Sequence, residues 1–256
     1  MINKVHCAEC LEFMKQIPDK SIDMVLTSPP YDNLRDYSGY TFDFEGIAKE
    51  LFRIIKEGGV CVWIVGDATV DGSETGTSFK QALYFKEIGF RLHDTMIYQK
   101  NSYPFPPTNR YFGVFEYMFI LSKGSPKTTN MIKVRTIGAK HKSSTQRQSD
   151  GSTTSMKYEM GKDERVRDNV WVYDVGYGKS SNDKSVFFHP ATFPEKLAKE
   201  HIISWSDKDD LVLDCFNGSG TTSLCCKNFG RKFIGIEISP EYCKIAEDRL
   251  RQEVLF

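Results

Sequence analysis

Short apolar runs recur along this chain with helical spacing between them, and that alternation is the strongest constraint on its fold. The runs at 21–27, 60–65, 95–98 and 117–121 have strand length and are rich in Val, Ile, Met and Phe. Between them Leu51, Ile54 and Ile55 are spaced for one helix face, and Gly58-Gly59 reads as a helix stop. After Phe187 the pattern resumes with a helix over 194–204, a strand at 211–214, a helix after Gly220, a strand at 233–237 and a closing amphipathic helix. Pro240 opens that last helix, where its missing N–H costs nothing. Strands alternating with helices predict an α/β fold, a mainly parallel sheet with helices on both faces. A length of 256 residues suits one domain with a single excursion.

The excursion is visible in composition. From 123 to 184 the chain turns to Ser, Thr, Lys and Arg with few apolar residues, which predicts loops or partly disordered segments. Thirteen Lys and Arg against seven Asp and Glu give this stretch six net positive charges, and the neutral whole leaves six negative charges elsewhere. Overall charge therefore announces no nucleic-acid partner, but the segregated charge does. No run is long and apolar enough for a membrane span and none near the N-terminus resembles a signal peptide, so a soluble, cytoplasmic protein is expected. The seven cysteines are expected to be reduced. Cys7 and Cys10 form a lone CxxC without a second ligand pair, which argues against zinc.

The stretch 212–222 reads as a strand ending in an acid, a glycine-rich turn and a helix start. Gly218 and Gly220 let the backbone turn sharply and approach a ligand. Glu237 ends the next strand, where a carboxylate can accept both hydroxyls of a ribose. The turn lacks both GxGxxG and GK[ST], so a cofactor without phosphates fits better, and S-adenosyl-L-methionine is one. Asp214 could hold its ammonium group; alternatively it caps the following turn.

Thr27-Ser28-Pro29-Pro30-Tyr31 closes the strand at 21–27 and so falls at the carboxyl edge of the sheet, where open α/β folds bind ligands. Two prolines remove two N–H donors and fix φ twice, holding the Ser28 and Pro29 carbonyls as acceptors with few internal partners. Acceptors of that kind suit an amino group as substrate. A base amino lone pair is delocalised into the ring; hydrogen bonds from both its N–H groups favour a tetrahedral nitrogen that can attack a sulfonium methyl. Such a base must leave the duplex, and Tyr31 offers a face for it to stack on.

With both halves in view, the sequence resembles the amino-methylating (cytosine-N4 and adenine-N6) DNA methyltransferases, in the group whose catalytic motif precedes the cofactor motif. TSPPY at 27–31 resembles the catalytic motif and DCFNGSGTT at 214–222 the cofactor loop. The resemblance implies a circularly permuted, Rossmann-like methyltransferase fold, with residues 1–122 as catalytic half, 123–185 as inserted target-recognition region and 186–256 as cofactor half. It further implies that Asp214, Phe216, Gly218, Gly220, Thr221 and Glu237 hold the cofactor. The segment His189 to Leu197, including Thr192, would line its methionine pocket. The family's acid-Cys pair ahead of the first helix is commonly Asp; here it is Glu9-Cys10, and contact with the cofactor's adenine passes to Glu9.

Ser28 stands where cytosine-N4 enzymes usually carry serine and adenine-N6 enzymes aspartate, although some adenine enzymes also carry serine. Its hydroxyl can donate to cytosine N3, which an ionised Asp cannot. Cytosine N4 is therefore the expected target, adenine N6 the alternative, and a non-catalytic DNA-binding protein of the same fold a distant third. Double-stranded DNA is the expected partner, with Arg35, Lys133, Arg135, Lys140, Lys142 and Arg147 as contacts. The kinship also suggests a companion restriction endonuclease. Nothing in the residues fixes a monomer or a homodimer. Residues 103–110 fit an ordered loop near the catalytic wall, or a polyproline segment.

Overall fold

Every second side chain of Ile22–Thr27 faces the opposite side of the sheet, and the strand is buried on both, so it needs a covering layer on each face. The computed structural model describes residues 1–30, 42–101, 109–135, 144–156, 164–175 and 194–252. The larger unit, Met1–Asn130 with Asn169–Phe256, opens with β1 (Lys4–Cys7), α1 (Cys10–Met14), β2 (Ile22–Thr27), α2 (Phe44–Ile54) and β3 (Ile55–Val65). The hairpin β4 (Thr69–Val70) and β5 (Ser73–Glu74), α3 (Thr77–Glu87), β6 (Arg91–Lys100) and β7 (Phe115–Ser122) follow. The smaller unit, Met131–Asp168, holds β8 (Lys133–Arg135), β9 (Ser144–Arg147), β10 (Thr153–Met156) and β11 (Glu164–Val166). The chain then completes the larger unit with β12 (Val170–Tyr173), α4 (Glu195–Trp205), β13 (Leu211–Asp214), α5 (Thr221–Asn228), β14 (Lys232–Glu237) and α6 (Pro240–Arg251).

Eight strands form one sheet in the order β1-β14-β13-β2-β3-β7-β6-β12, and every pairing is parallel except the two made by β7. On one face Val25, Cys61, Trp63, Leu213 and Ile234 share a core with Met14 of α1, Leu51 and Ile54 of α2, and Phe85 of α3. The intervening Met24, Leu26, Val62 and Val212 are also fully buried, and α4 lies on β2 while α5 lies on β13 and β14. Cutting a core leucine such as Leu51 back to alanine is expected to cost about 2–5 kcal/mol.

Two expectations change at this level. Gly58-Gly59 does not stop α2, which ends at Ile54; the pair lies inside β3, and Gly58 takes φ 78° while its N–H donates to Lys123 O at 2.7 Å. The stop is made from a distance. The Lys123 ammonium, on a residue 7% exposed, donates to Phe52 O at 2.6 Å and Ile55 O at 3.1 Å, satisfying carbonyls at the helix C-terminus, and burial pushes its pKa down.

The polar excursion is also narrower and more regular than expected. Residues 123–130 and 169–175 belong to the larger unit: Thr128 Oγ1 donates to Asp207 at 2.8 Å, Asn130 N to Ser204 O at 2.9 Å, and β12 pairs with β6. Within 131–168, β8 pairs with β11 and β9 with β10, both antiparallel. Backbone ladders need no apolar side chains, which is why composition alone suggested loops. All seven cysteines are free thiols. No helix among the described residues is long and apolar enough to cross a membrane.

Candidate active site

The neighbours β1, β14, β13 and β2 run parallel, so the residues after Cys7, Glu237, Asp214 and Thr27 emerge along one edge of the sheet. A buried hydrogen bond joins two of these ends: Thr27 Oγ1 donates to Asp214 Oδ1 at 2.7 Å, across 187 residues of chain. Ser28, Pro29 and Pro30 leave β2 immediately beyond it, with Pro29 buried and the other two half-buried. Tyr31, Arg35 and the residues at 103–108 lie outside the described residues, as do Lys140, Lys142 and Thr192.

The cofactor turn is shaped by its glycines. Gly218 and Gly220 take φ 48° and 82°, and Gly220 is the N-cap of α5, with no side chain capping that helix. A Cβ on Gly220 would stand 2.8 Å from Ala246 Cβ, so close packing of α6 against the turn, as well as backbone shape, requires glycine there. Thr221, the first residue of α5, is buried. Phe216 is half-buried and meets Phe42 edge-on at 5.7 Å.

Glu237 ends β14 facing this turn. Its Oε2 accepts from Gly218 N at 2.8 Å and its Oε1 from Ser239 N at 2.9 Å, and burial pushes its pKa up against those bonds. A carboxylate has about four acceptor positions, so capacity remains for the hydroxyls of a ribose. Half-buried Glu237 and Phe216, set against the buried glycine turn, together fit a nucleoside.

Asp214 and Glu9 each make hydrogen bonds to the chain beside this turn. Asp214 is 2% exposed and accepts from Phe216 N at 3.1 Å as well as from Thr27, so it ties strand to turn, the capping alternative. Burial raises its pKa to about 6 despite these bonds. Glu9 is the N-cap of α1: Leu11 N donates to Oε1 at 3.0 Å and Glu12 N to Oε2 at 2.7 Å. Both acids organise the backbone around the site.

Two residues were missed by sequence reasoning. Asn217 is buried; its N–H donates to Ile236 O at 2.9 Å, its Oδ1 accepts from Ser223 Oγ at 2.5 Å, and a Cβ on Gly235 would sit 2.6 Å from that Oδ1. A glycine inside β14 was the available signal, since strands disfavour glycine unless something approaches closely. The second is Arg249 of α6, which is 1% exposed and reaches the glycine turn. In the smaller unit, Lys133 and Arg135 of β8 and Arg147 of β9 are exposed.

A mainly parallel sheet whose carboxyl edge carries a glycine turn, a ribose-fitting acid and an adjoining Ser-Pro-Pro turn defines an α/β enzyme with a nucleoside cofactor. The family can be stated more narrowly: this chain belongs to the DNA methylase family N6_N4_Mtase, whose profile matches residues 22–248. It is thus a DNA methyltransferase of the N6/N4 type. It is 54% identical over 246 residues to the orphan methyltransferase M.BamHII of Bacillus amyloliquefaciens, covering 94% of this chain and 93% of that one. It is 28% identical to the type II methyltransferase M.HinfI of Haemophilus influenzae, over 98% of this chain and 69% of the relative. Among solved structures, the cytosine-N4-specific PvuII DNA methyltransferase superposes with a TM-score of 0.72 at 21% identity, covering 98% and 87% of the two chains. A putative DNA modification methylase of Thermus thermophilus, complexed with S-adenosyl-L-methionine, superposes with a TM-score of 0.67 at 23% identity over 99% and 95%. These likenesses agree with the observed α/β fold.

Proposed function

We propose that this chain transfers the methyl group of S-adenosyl-L-methionine to the exocyclic N4 of a cytosine turned out of double-stranded DNA. The observation that carries the reading is the buried Thr27–Asp214 hydrogen bond, which sets the Ser28-Pro29-Pro30 turn beside the cofactor turn. Methyl donor and amino acceptor must share one place, and these two turns meet. Glu237, Phe216 and the turn from Gly218 to Thr221 hold the nucleoside; Asp214 and Glu9 keep strand and helix ends in position around it.

The cofactor supplies an electrophilic methyl group. The chain's own part is to make a poor nucleophile competent. The Ser28 and Pro29 carbonyls accept the two amino protons, freeing the nitrogen lone pair, and the Ser28 hydroxyl donates to cytosine N3. Tyr31 stacks on the displaced base. Nitrogen gains the methyl group and loses one proton to solvent, so no strong general base is required. We assign target recognition to the basic stretch that contains the smaller unit, with Lys133, Arg135 and Arg147 on phosphates or base edges and Arg35, Lys140 and Lys142 completing the set.

The test is to incubate purified protein with labelled S-adenosyl-L-methionine and unmethylated genomic DNA, digest to nucleosides and identify the product by mass spectrometry. N4-methylcytosine is expected. N6-methyladenine would keep the family and overturn the inference from Ser28, whereas a protein that binds cofactor and labels no nucleoside would overturn the DNA-modifying reading.

A further inference from the structure

Arg249 is the largest charged side chain sealed inside the larger unit among the described residues, and its position on α6 is set by the same inward stripe as Cys243 and Ala246. A guanidinium removed from water costs several kcal/mol unless its donors are matched. Here they are directed to two places. Nη1 donates to the backbone carbonyl of Ser219 at 2.5 Å and lies 3.4 Å from Thr221 Oγ1; Nη2 donates to Glu195 Oε1 at 2.8 Å. Ser219 stands between Gly218 and Gly220, both at positive φ, so its carbonyl is held by a backbone that has little rigidity of its own. Glu195 is the first residue of α4, directly after the His189 to Pro194 stretch.

We infer that Arg249 is a positioning residue for the cofactor, fixing the glycine turn to the start of α4 so that the turn keeps one shape when S-adenosyl-L-methionine binds. Only arginine does this with one side chain: its planar fork presents separate donors to a carbonyl and a carboxylate, whereas a lysine ammonium is a single point. A glycine turn without the clamp samples more conformations, and the cofactor must then select one of them. The loss falls on cofactor binding and leaves the Ser28-Pro29-Pro30 turn, which takes no part in the clamp, unaffected.

This inference rests on the cofactor reading above, and the experiment separates the two. S-Adenosylhomocysteine binding is measured by calorimetry on the full chain, wild type and Arg249→Lys, with Glu195→Gln as a milder variant that keeps the acceptor and removes the charge. Steady-state kinetics supply KM for S-adenosyl-L-methionine and kcat. Arg249→Lys is expected to raise Kd and KM about tenfold with kcat within about threefold of wild type, and Glu195→Gln to raise them by a smaller factor. Thermal unfolding without ligand confirms that each variant is folded at the assay temperature. A folded Arg249→Lys protein with unchanged Kd and KM overturns the clamp, as does a loss of kcat at unchanged KM. A wild-type protein that binds no S-adenosylhomocysteine overturns the cofactor reading itself.

Discussion

At the carboxyl edge of the large sheet, Thr27 and Asp214 are joined across 187 residues and Gly218 and Glu237 across 19, through groups mostly withdrawn from water. Among the described residues of the smaller unit the bonds are backbone ladders between short strands and exposed side-chain pairs close in sequence, such as Gln148–Thr154, Asp150–Ser152 and Arg165–Asp168. The first region binds distant parts of the chain to one geometry; the second makes few demands on side-chain identity. The proposed division of labour, methyl transfer at the first and target recognition in the second, would match that difference.

The comparison is broken most directly at the proposed catalytic turn. Tyr31→Ala is expected to lower turnover about 1000-fold, and Pro30→Ala at least about 100-fold, with cofactor affinity retained. Normal turnover by Tyr31→Ala in the nucleoside assay would remove the catalytic assignment.

The next largest effect concerns pH. Asp214 binds its proton more tightly folded, pKa about 6, than at its ordinary 3.8, because burial disfavours the carboxylate. Its contribution is therefore complete below about pH 4 and is lost as pH rises through 6, on the order of 3 kcal/mol in all. Asp214→Asn does not titrate, so the difference in unfolding free energy between wild type and variant should slope over that window and flatten above it. Urea titrations at a series of pH values measure this; a difference independent of pH would mean that the carboxyl is not buried as described.

Glu237→Ala is expected to weaken S-adenosylhomocysteine binding about tenfold or more in calorimetry while DNA affinity holds, and equal affinity would free that acid from the cofactor. Smallest in stability should be the triple replacement of Lys133, Arg135 and Arg147 by alanine. Unfolding free energy should move by no more than about 0.5 kcal/mol for each, while the slope of log affinity for DNA against log salt flattens by up to about three. An unchanged slope would remove these residues from the DNA interface.

What was legible in the sequence follows the same division. The strands read at 21–27, 211–214 and 233–237 were visible as apolar runs, and the start of α6 was visible from Pro240; its Ser239 cap appears only in the fold. α3 was hard to delimit because a glycine caps it and Phe79 and Leu83 are exposed on it. Lys123 and Arg249 could not be read as interior residues, since burial of a charge depends on acceptors brought from elsewhere in the fold. The motifs named Asp214 and Glu237, but not the Thr27 hydroxyl that makes Asp214 an internal tie. Local pattern carries strand and turn; it carries no information about which distant group will complete a hydrogen bond.

The sheet order has one further consequence. The Ser28-Pro29-Pro30 and glycine turns, proposed as catalytic and cofactor sites, are neighbours because β13 pairs with β2 and not through continuity of the chain, and the smaller unit falls between them in sequence. A chain cut between β9 and β10 yields two fragments, each with one of the two turns and neither with a complete edge. Co-expressed, they are expected to restore activity by re-forming the β13–β2 pairing, so that methylation would report their reunion.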